Sequence, residues 1–197
     1  VWSARRIQAT VGMLSHLLQH KFLLQYGDRV AIYKKNHFDM HLFMLSIVRA
    51  GGIACPINGN LRSKDFEAYL ANLSATILFT DSTTVYQLLQ NDIQFGSCKK
   101  LIIAEKKVLN SDNASSIEEI LAQKNSDIQV SWLEEELVAV KEESPAVPRG
   151  KDDPLYLVHS SGTTGFPKAV ILKNGPQSHA VRGWLCYVHL SRTRDKG

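Results

Sequence analysis

Ser160, Ser161, Gly162, Thr163, Thr164, Gly165, Phe166, Pro167 and Lys168 follow one another without interruption, giving four hydroxyls, two glycines and one cation in a single short stretch. Glycine lets backbone N–H groups approach an anion with no Cβ in the way and tolerates positive φ. Successive N–H groups in such a turn form an anion-binding nest. The hydroxyls add donors and Lys168 adds a mobile positive charge. Each hydrogen bond to a charged group contributes about 1.5–3 kcal/mol, so a few convergent donors suffice to hold a polyphosphate. The order is not that of a Walker A loop, which needs Gly before the lysine and Ser or Thr after it. Here Pro167 and Ala169 take those places. An ordinary Ser/Gly/Thr hairpin turn has a similar composition.

What must position this loop is written on either side of it. Leu155-Tyr156-Leu157-Val158 precedes it and Ala169-Val170-Ile171-Leu172 follows it, both apolar and β-rich, so residues 155–172 read as strand, phosphate loop, strand. Upstream, Ser144–Asp153 carries Pro145, Pro148 and Gly150 and reads as a connector.

The earlier chain alternates helical stripes with short apolar runs. Val11, Leu14, Leu17, Leu18 and Leu24 predict an amphipathic helix over Thr10–Leu24. Arg29–Tyr33 predicts a strand, and Phe38, Leu42, Leu45 and Val48 a second helical stripe closed by Gly51-Gly52. Ile53–Ile57 predicts a strand with Pro56 near an end or an edge. A helix with Ser63 as N-cap follows, its inner face Phe66, Leu70 and Leu73; then strand Ala75–Thr80, the cap-like Asp81-Ser82, helix Thr83–Gln90 and strand Leu101–Ala104. Glu105–Ser115 reads as a surface loop, and Ser116–Glu119 as a capping box opening a short helix through Leu121. Ser131–Glu134 has the same form, with Glu134-Glu135-Glu136 and Glu142-Glu143 as solvated faces. After the loop, Asn174-Gly175 turns the chain, Pro176 suits the first position of a helix, and Val181, Trp184, Leu185 and Val188 form its stripe, ahead of a basic tail at Arg192–Gly197. This alternation predicts an α/β fold, a mainly parallel sheet flanked by helices.

Composition sets outer bounds. The 197 residues are 44% hydrophobic and 21% charged, as in an ordinary globular protein. The net charge of +4 is spread over pairs such as Arg5-Arg6, Lys34-Lys35 and Lys99-Lys100, which read as solvated faces. No aromatics interleave with them in a nucleic-acid-reading pattern, so nucleic acid is not an expected partner. Cys55, Cys98 and Cys186 are odd in number and far apart, without metal-ligand spacing. That usage implies a reducing compartment, and a cytoplasmic location is expected. No apolar run reaches the ~18 residues of a membrane span. The start, Val1-Trp2-Ser3, has no initiator Met and no signal-peptide core, so the chain is expected to begin inside a longer protein.

The loop S-S-G-T-T-G-F-P-K resembles the signature loop of the adenylate-forming superfamily, which includes acyl-CoA synthetases, peptide-synthetase adenylation domains and luciferases. Gly27–Ile32, the helix-to-strand step Arg49–Ile57 and the strand Ala75–Asp81 are also similar to that family's segments, in the same order. The resemblance spans the chain but only about the first third of a family member, which implies a partial N-terminal adenylation (AMP-binding) domain over residues 1–197.

It further implies ATP-dependent activation of a small-molecule carboxylic acid to an acyl-adenylate, release of pyrophosphate and transfer to a thiol, with coenzyme A the expected acceptor. Ser160, Ser161, Gly162, Thr163, Thr164, Gly165, Pro167 and Lys168 would wrap the β- and γ-phosphates of ATP. Lys168 is the catalytic candidate, neutralising the leaving pyrophosphate; Mg²⁺ would bridge phosphate oxygens, with Thr163 the candidate for a loop hydroxyl on the metal. Three departures stand out: Ala169 where many members have Gly, Lys173-Asn174 where Thr-His is usual, and His159 before the loop where Tyr or Thr is usual. A lone histidine at a strand end reads as structural. His159–Gly165 also resembles adenylation domains of carboxylate reductases and peptide-synthetase-like proteins, leaving open a carrier protein as the acceptor. A catalytically incomplete domain acting as a binding module is the alternative of another class, and the 197 residues alone are expected not to turn over.

Overall fold

The computed structural model describes residues 2–35, 37–105, 117–122, 127–160 and 168–194, with backbone alone for Ser160 and for 185–194. The elements in order are α1 (Ala4–His16), a π-helical turn (Leu17–Lys21), β1 (Arg29–Lys34), α2 (Phe38–Arg49), β2 (Ile53–Asn58), α3 (Ser63–Leu73), β3 (Ile77–Asp81), α4 (Ser82–Gln90), β4 (Lys100–Ala104), β5 (Gln129–Trp132), α5 (Leu133–Ala139), β6 (Pro154–Ser160), β7 (Lys168–Lys173) and α6 (Asn174–Arg194). Residues 117–122 are also helical, as the capping-box pattern led one to expect; Ser116 itself and the loop 106–115 lie outside the described residues.

The strands form one seven-stranded sheet in the order β5-β4-β3-β1-β2-β6-β7. Neighbours pair in parallel from β5 through to β6, and β7 returns antiparallel along β6. The expected mainly parallel α/β architecture is therefore the one observed.

Strand side chains alternate between two faces, and in β1 to β4 both faces are buried, as a parallel sheet requires. Val30, Ile32, Ile77, Phe79 and Ile102 pack with α1 and α2, where the rings of Phe43 and Phe79 stack 3.4 Å apart. Ala31, Tyr33, Leu78, Leu101 and Ile103 pack with α3 and α4, where Tyr33 stacks on Phe66 at 4.0 Å. Fully burying one such aromatic or aliphatic side chain contributes about 1.5–3 kcal/mol, so these two layers dominate the stability of the sheet.

Helix ends follow local chemistry. Gly51, at φ +103°, closes α2: Gly52 N–H donates to the Ile47 carbonyl at 2.9 Å and Gly51 N–H to that of Val48 at 3.2 Å. Asp81 caps α4, accepting from Thr84 N–H at 2.8 Å and from the Thr84 hydroxyl at 2.9 Å.

Several expectations are corrected. The first helix begins at Ala4 rather than Thr10, capped by Ser3, and passes into the π-helical turn before Leu23 takes a left-handed φ of 51°. In α2, Leu42 is buried as expected, with Met40, Phe43 and Ile47 beside it, but Phe38 and Leu45 are exposed. Pro56 lies in an interior strand, tolerated because β2 registers with β6 only at Ala54 opposite Tyr156. Ser63 is the first helical residue of α3, with Arg62 in the cap position. Ser131 and Trp132 end a strand, β5, before α5 begins. Glu134 and Glu136 are not merely solvated: Glu134 accepts from Glu105 N–H at 2.6 Å, and Glu136 pairs with Lys21 at 2.5 Å. The apolar residues of α6 whose side chains are described, Val181 and Trp184, are exposed, Trp184 at 64%.

Candidate active site

β6 is the last parallel strand, so Ser160 leaves the sheet at the edge where all the parallel strands end. In open α/β sheets that carboxyl edge is where ligands bind. Ser160 stands directly opposite Lys168, and His159 opposite Ala169, in the antiparallel ladder. The two ends of the glycine- and hydroxyl-rich stretch are thus held side by side at the carboxyl edge. Ser161, Gly162, Thr163, Thr164, Gly165 and Pro167 lie outside the described residues, as does the Ser160 side chain. Lys168 is exposed at the mouth of the hairpin.

The base of the hairpin is fastened at the opposite end. Asn174 N–H donates to the Asp153 carbonyl at 2.9 Å, Gly175 N–H to that of Lys151 at 2.8 Å, and the Asn174 side chain to that of Arg149 at 3.2 Å. A Cβ on Gly175 would sit 2.9 Å from the Lys151 oxygen, so a bare backbone is needed there. Tyr26 donates to Asp153 at 2.5 Å; that bond and the Gly150 N–H hold the Asp153 carboxyl below the usual carboxylate range. Segment 144–153 is itself tied down. Arg49 donates to the Ser144 carbonyl through Nε at 2.9 Å and Nη2 at 2.7 Å, and Val147 N–H to the Arg49 carbonyl at 2.9 Å.

His159 packs its ring edge-on against Tyr69 at 4.0 Å. Its Nδ1 is buried without a hydrogen-bond partner, and burial pulls its pKa below the usual histidine value, which favours the neutral ring.

A second constellation at the same edge is not what the sequence suggested. Lys34, expected on a solvated face, is 2% exposed. It donates to Asp39 Oδ2 at 2.6 Å and to Glu105 Oε1 at 2.9 Å, 5.7 Å above the Phe79 ring. Burial opposes its charged form, but the two carboxylate hydrogen bonds outweigh that and leave its pKa above the ordinary lysine value. The available signal was its place: Lys34 ends an interior strand whose other face-mates are buried. Lys34 and Glu105 line a cavity of about 280 Å³ with Lys35, His37, Asp81 and Thr84. The cavity opens between the ends of β1 and β3, the neighbours at which the direction of winding reverses. A larger cavity of about 530 Å³ adjoins the end of β2, lined by Met40, Ile57, Asn58 and Gly59. A Cβ on Gly59 would fall 2.2 Å from the Lys34 carbonyl oxygen, so only glycine lets the loop after β2 cross so close to β1. Among the described residues, no helix is long and apolar enough to cross a membrane.

A doubly wound sheet, two hairpin strands that meet at Ser160 and Lys168, and cavities along the carboxyl edge are the features of an α/β fold of the kind that binds ligands at that edge. Comparison with known proteins narrows the class. The family described as AMP-binding enzyme matches residues 1–196, and the chain belongs to that family, within the adenylate-forming superfamily. An acetyl-coenzyme A synthetase of Marinomonas sp. is 26% identical over 188 residues, 92% of this chain and 26% of the relative. A long-chain-fatty-acid–CoA ligase of Mycobacterium tuberculosis is 24% identical over 176 residues, 86% of this chain and 29% of the relative. The chain therefore spans little more than a quarter of the length of these relatives. In fold it is similar to the adenylation domain of a carboxylate reductase from Mycobacterium chelonae, with a TM-score of 0.75 at 15% identity over 87% of this chain and 27% of that one. It is also similar to the A-PCP didomain of a carboxylic acid reductase from Segniliparus rugosus in complex with AMP, with a TM-score of 0.72 at 18% identity over 87% of this chain and 25% of that one.

Proposed function

We propose that this chain supplies the phosphate-handling hairpin of an enzyme that activates a carboxylic acid with ATP. One carboxylate oxygen attacks the α-phosphorus, the bond to the β-phosphate oxygen breaks, and pyrophosphate leaves with its electron pair. The acyl-adenylate then passes its acyl group to a thiol, with coenzyme A the acceptor. The observation that carries this is the pairing of Ser160 with Lys168 at the carboxyl edge. That register sets Ser160 and Lys168, the two ends of the hydroxyl- and glycine-rich stretch, side by side at the edge where such sheets present ligands. Ser160–Lys168 would hold the β- and γ-phosphates, and Lys168 would offset the charge that grows on the leaving pyrophosphate. Mg²⁺, when bound, would neutralise charge between phosphate oxygens, with Thr163 the candidate hydroxyl beside it. Most of the work asked of these residues is positioning and electrostatic stabilisation.

A carrier protein as acceptor is the second reading, and the fold likeness to a carboxylic acid reductase A-PCP didomain favours it. The direct test of the adenylation step is carboxylate-dependent exchange of labelled pyrophosphate into ATP by the full-length protein, over a broad panel of acids. Exchange with at least one acid is expected; none with any would contradict the proposal. Supplying coenzyme A or a phosphopantetheine-bearing carrier to the active preparation then separates the acceptors.

A further inference from the structure

His159 is the penultimate residue of β6, opposite Ala169 in the ladder and one rung from the Ser160–Lys168 pair. Its ring meets that of Tyr69, from the second turn of α3, edge-on at 4.0 Å and 68°. The residue as a whole is half-buried. Nδ1, however, is fully enclosed and has no hydrogen-bond partner. A buried polar atom left unpaired is rare in folded proteins and calls for a physical account.

The account lies in the tautomer. A neutral imidazole carries its hydrogen on one nitrogen and a lone pair on the other. A hydrogen on Nδ1 would bury a donor with no acceptor, which folded chains avoid more strictly than an acceptor short of donors. An imidazolium would bury that same donor and a charge besides. The lone pair therefore belongs on Nδ1 and the hydrogen on Nε2, on the side of the ring that the half-buried residue leaves open. Among the described residues, Tyr69 of α3 is the titratable group packed on the ring, and Lys168 of β7 stands one rung away. Residues 161–167 carry no ionisable side chain. Burial is the cause that pulls the pKa of His159 below the ordinary histidine value, and the ring is neutral at pH 7.

A neutral donor held at the neck of this hairpin suits an anionic oxygen, which it can bond without exchanging a proton. Lys168 brings charge to the edge, and His159 brings a fixed direction. We propose that His159 is a ligand-binding residue whose Nε2–H donates to an oxyanion of a substrate held at the hairpin, either a phosphate oxygen of ATP or the carboxylate of the acid. The assignment rests on the phosphate-handling role proposed for the hairpin. Tyr69 fixes the plane of the ring, and the enclosed lone pair keeps the hydrogen on the outer nitrogen.

The test is pyrophosphate–ATP exchange by the full-length protein, with KM measured separately for ATP and for the acid in the parent, His159→Phe and His159→Gln. Phenylalanine keeps an aromatic ring against Tyr69 and removes both nitrogens. Glutamine places an amide N–H about as far from the backbone as Nε2. In His159→Phe at least one of the two KM values should rise about tenfold or more, the scale of a hydrogen bond to a charged group, with the unfolding midpoint no lower than the parent's. His159→Gln should recover most of that loss, which a merely structural role would not produce. A rise in the KM for ATP puts the oxyanion on the phosphates, and a rise in the KM for the acid puts it on the carboxylate. Both KM values of His159→Phe within twofold of the parent's, or His159→Gln no better than His159→Phe, would overturn this assignment and leave the role of the hairpin standing. A parent without exchange would overturn that role, and this assignment with it.

Discussion

Lys34→Met is the most informative single change to the scaffold. Methionine keeps much of the side-chain volume and the packing over Phe79 but removes the ammonium between Asp39 and Glu105. Removing one partner of a fully buried ion pair costs about 3–5 kcal/mol, because the other charge is left without compensation. Here the carboxylates remain 22% and 39% exposed, so water takes up part of the loss. A destabilisation of about 2–3 kcal/mol is expected, below that range. The pH dependence has a definite sign. The folded-state pKa of Lys34 lies above its unfolded value, so its contribution is complete below the ordinary lysine pKa of ~10.4 and is lost as pH rises through the folded value. The gap between parent and variant should therefore persist across neutral pH and close in strong alkali. Urea unfolding followed by circular dichroism at several pH values measures both quantities. A loss under about 0.5 kcal/mol at neutral pH, the range of an ordinary surface substitution, would show that the ammonium is not holding the carboxylates in place.

Three further perturbations bear on separate parts of the structure. Asp81→Ala removes the cap of α4 and should cost about 1 kcal/mol in urea unfolding. His159 is held neutral by burial with its pKa depressed, so stability should fall as pH drops below the ordinary histidine value of ~6.5 toward the folded value, because the unfolded state takes up a proton first. His159→Phe should show a shallower fall over that window, and an identical acid profile would contradict the assignment. Cys55 and Cys98 are buried, and burial pushes both thiols up to about 12. Peptide mapping should find both unlabelled by iodoacetamide in the native protein and labelled in urea.

Local signals were enough for the scaffold and short of the site. β1 to β4 were legible because each is a run of apolar residues bounded by turn formers, and the double glycine after α2 announced its own cap. β5 was hidden: Gln129–Trp132 is short, and its Ser131 imitates a helix cap. Phe38 and Leu45 fit a core stripe yet are exposed, because helical spacing alone cannot tell which of two apolar stripes faces the sheet. Lys34 looked like half of a surface pair because its partner Glu105 lies far along the chain and meets it only once β4 is placed. The bonds from Arg49 to Ser144 were invisible for the same reason. The phosphate-loop motif was plain in the sequence, and the structure adds the register that sets Ser160 opposite Lys168.

The central claim is that this hairpin handles the phosphates of ATP. Pyrophosphate–ATP exchange by the full-length protein and its Lys168→Ala variant, on the acid that supports exchange best, tests it most directly. The expected result is a fall of about a hundredfold or more in exchange with the unfolding midpoint unchanged, the scale seen when one charge-stabilising donor is removed from an active site. An exchange rate equal to that of the parent would remove Lys168, and with it the phosphate-handling role of the hairpin.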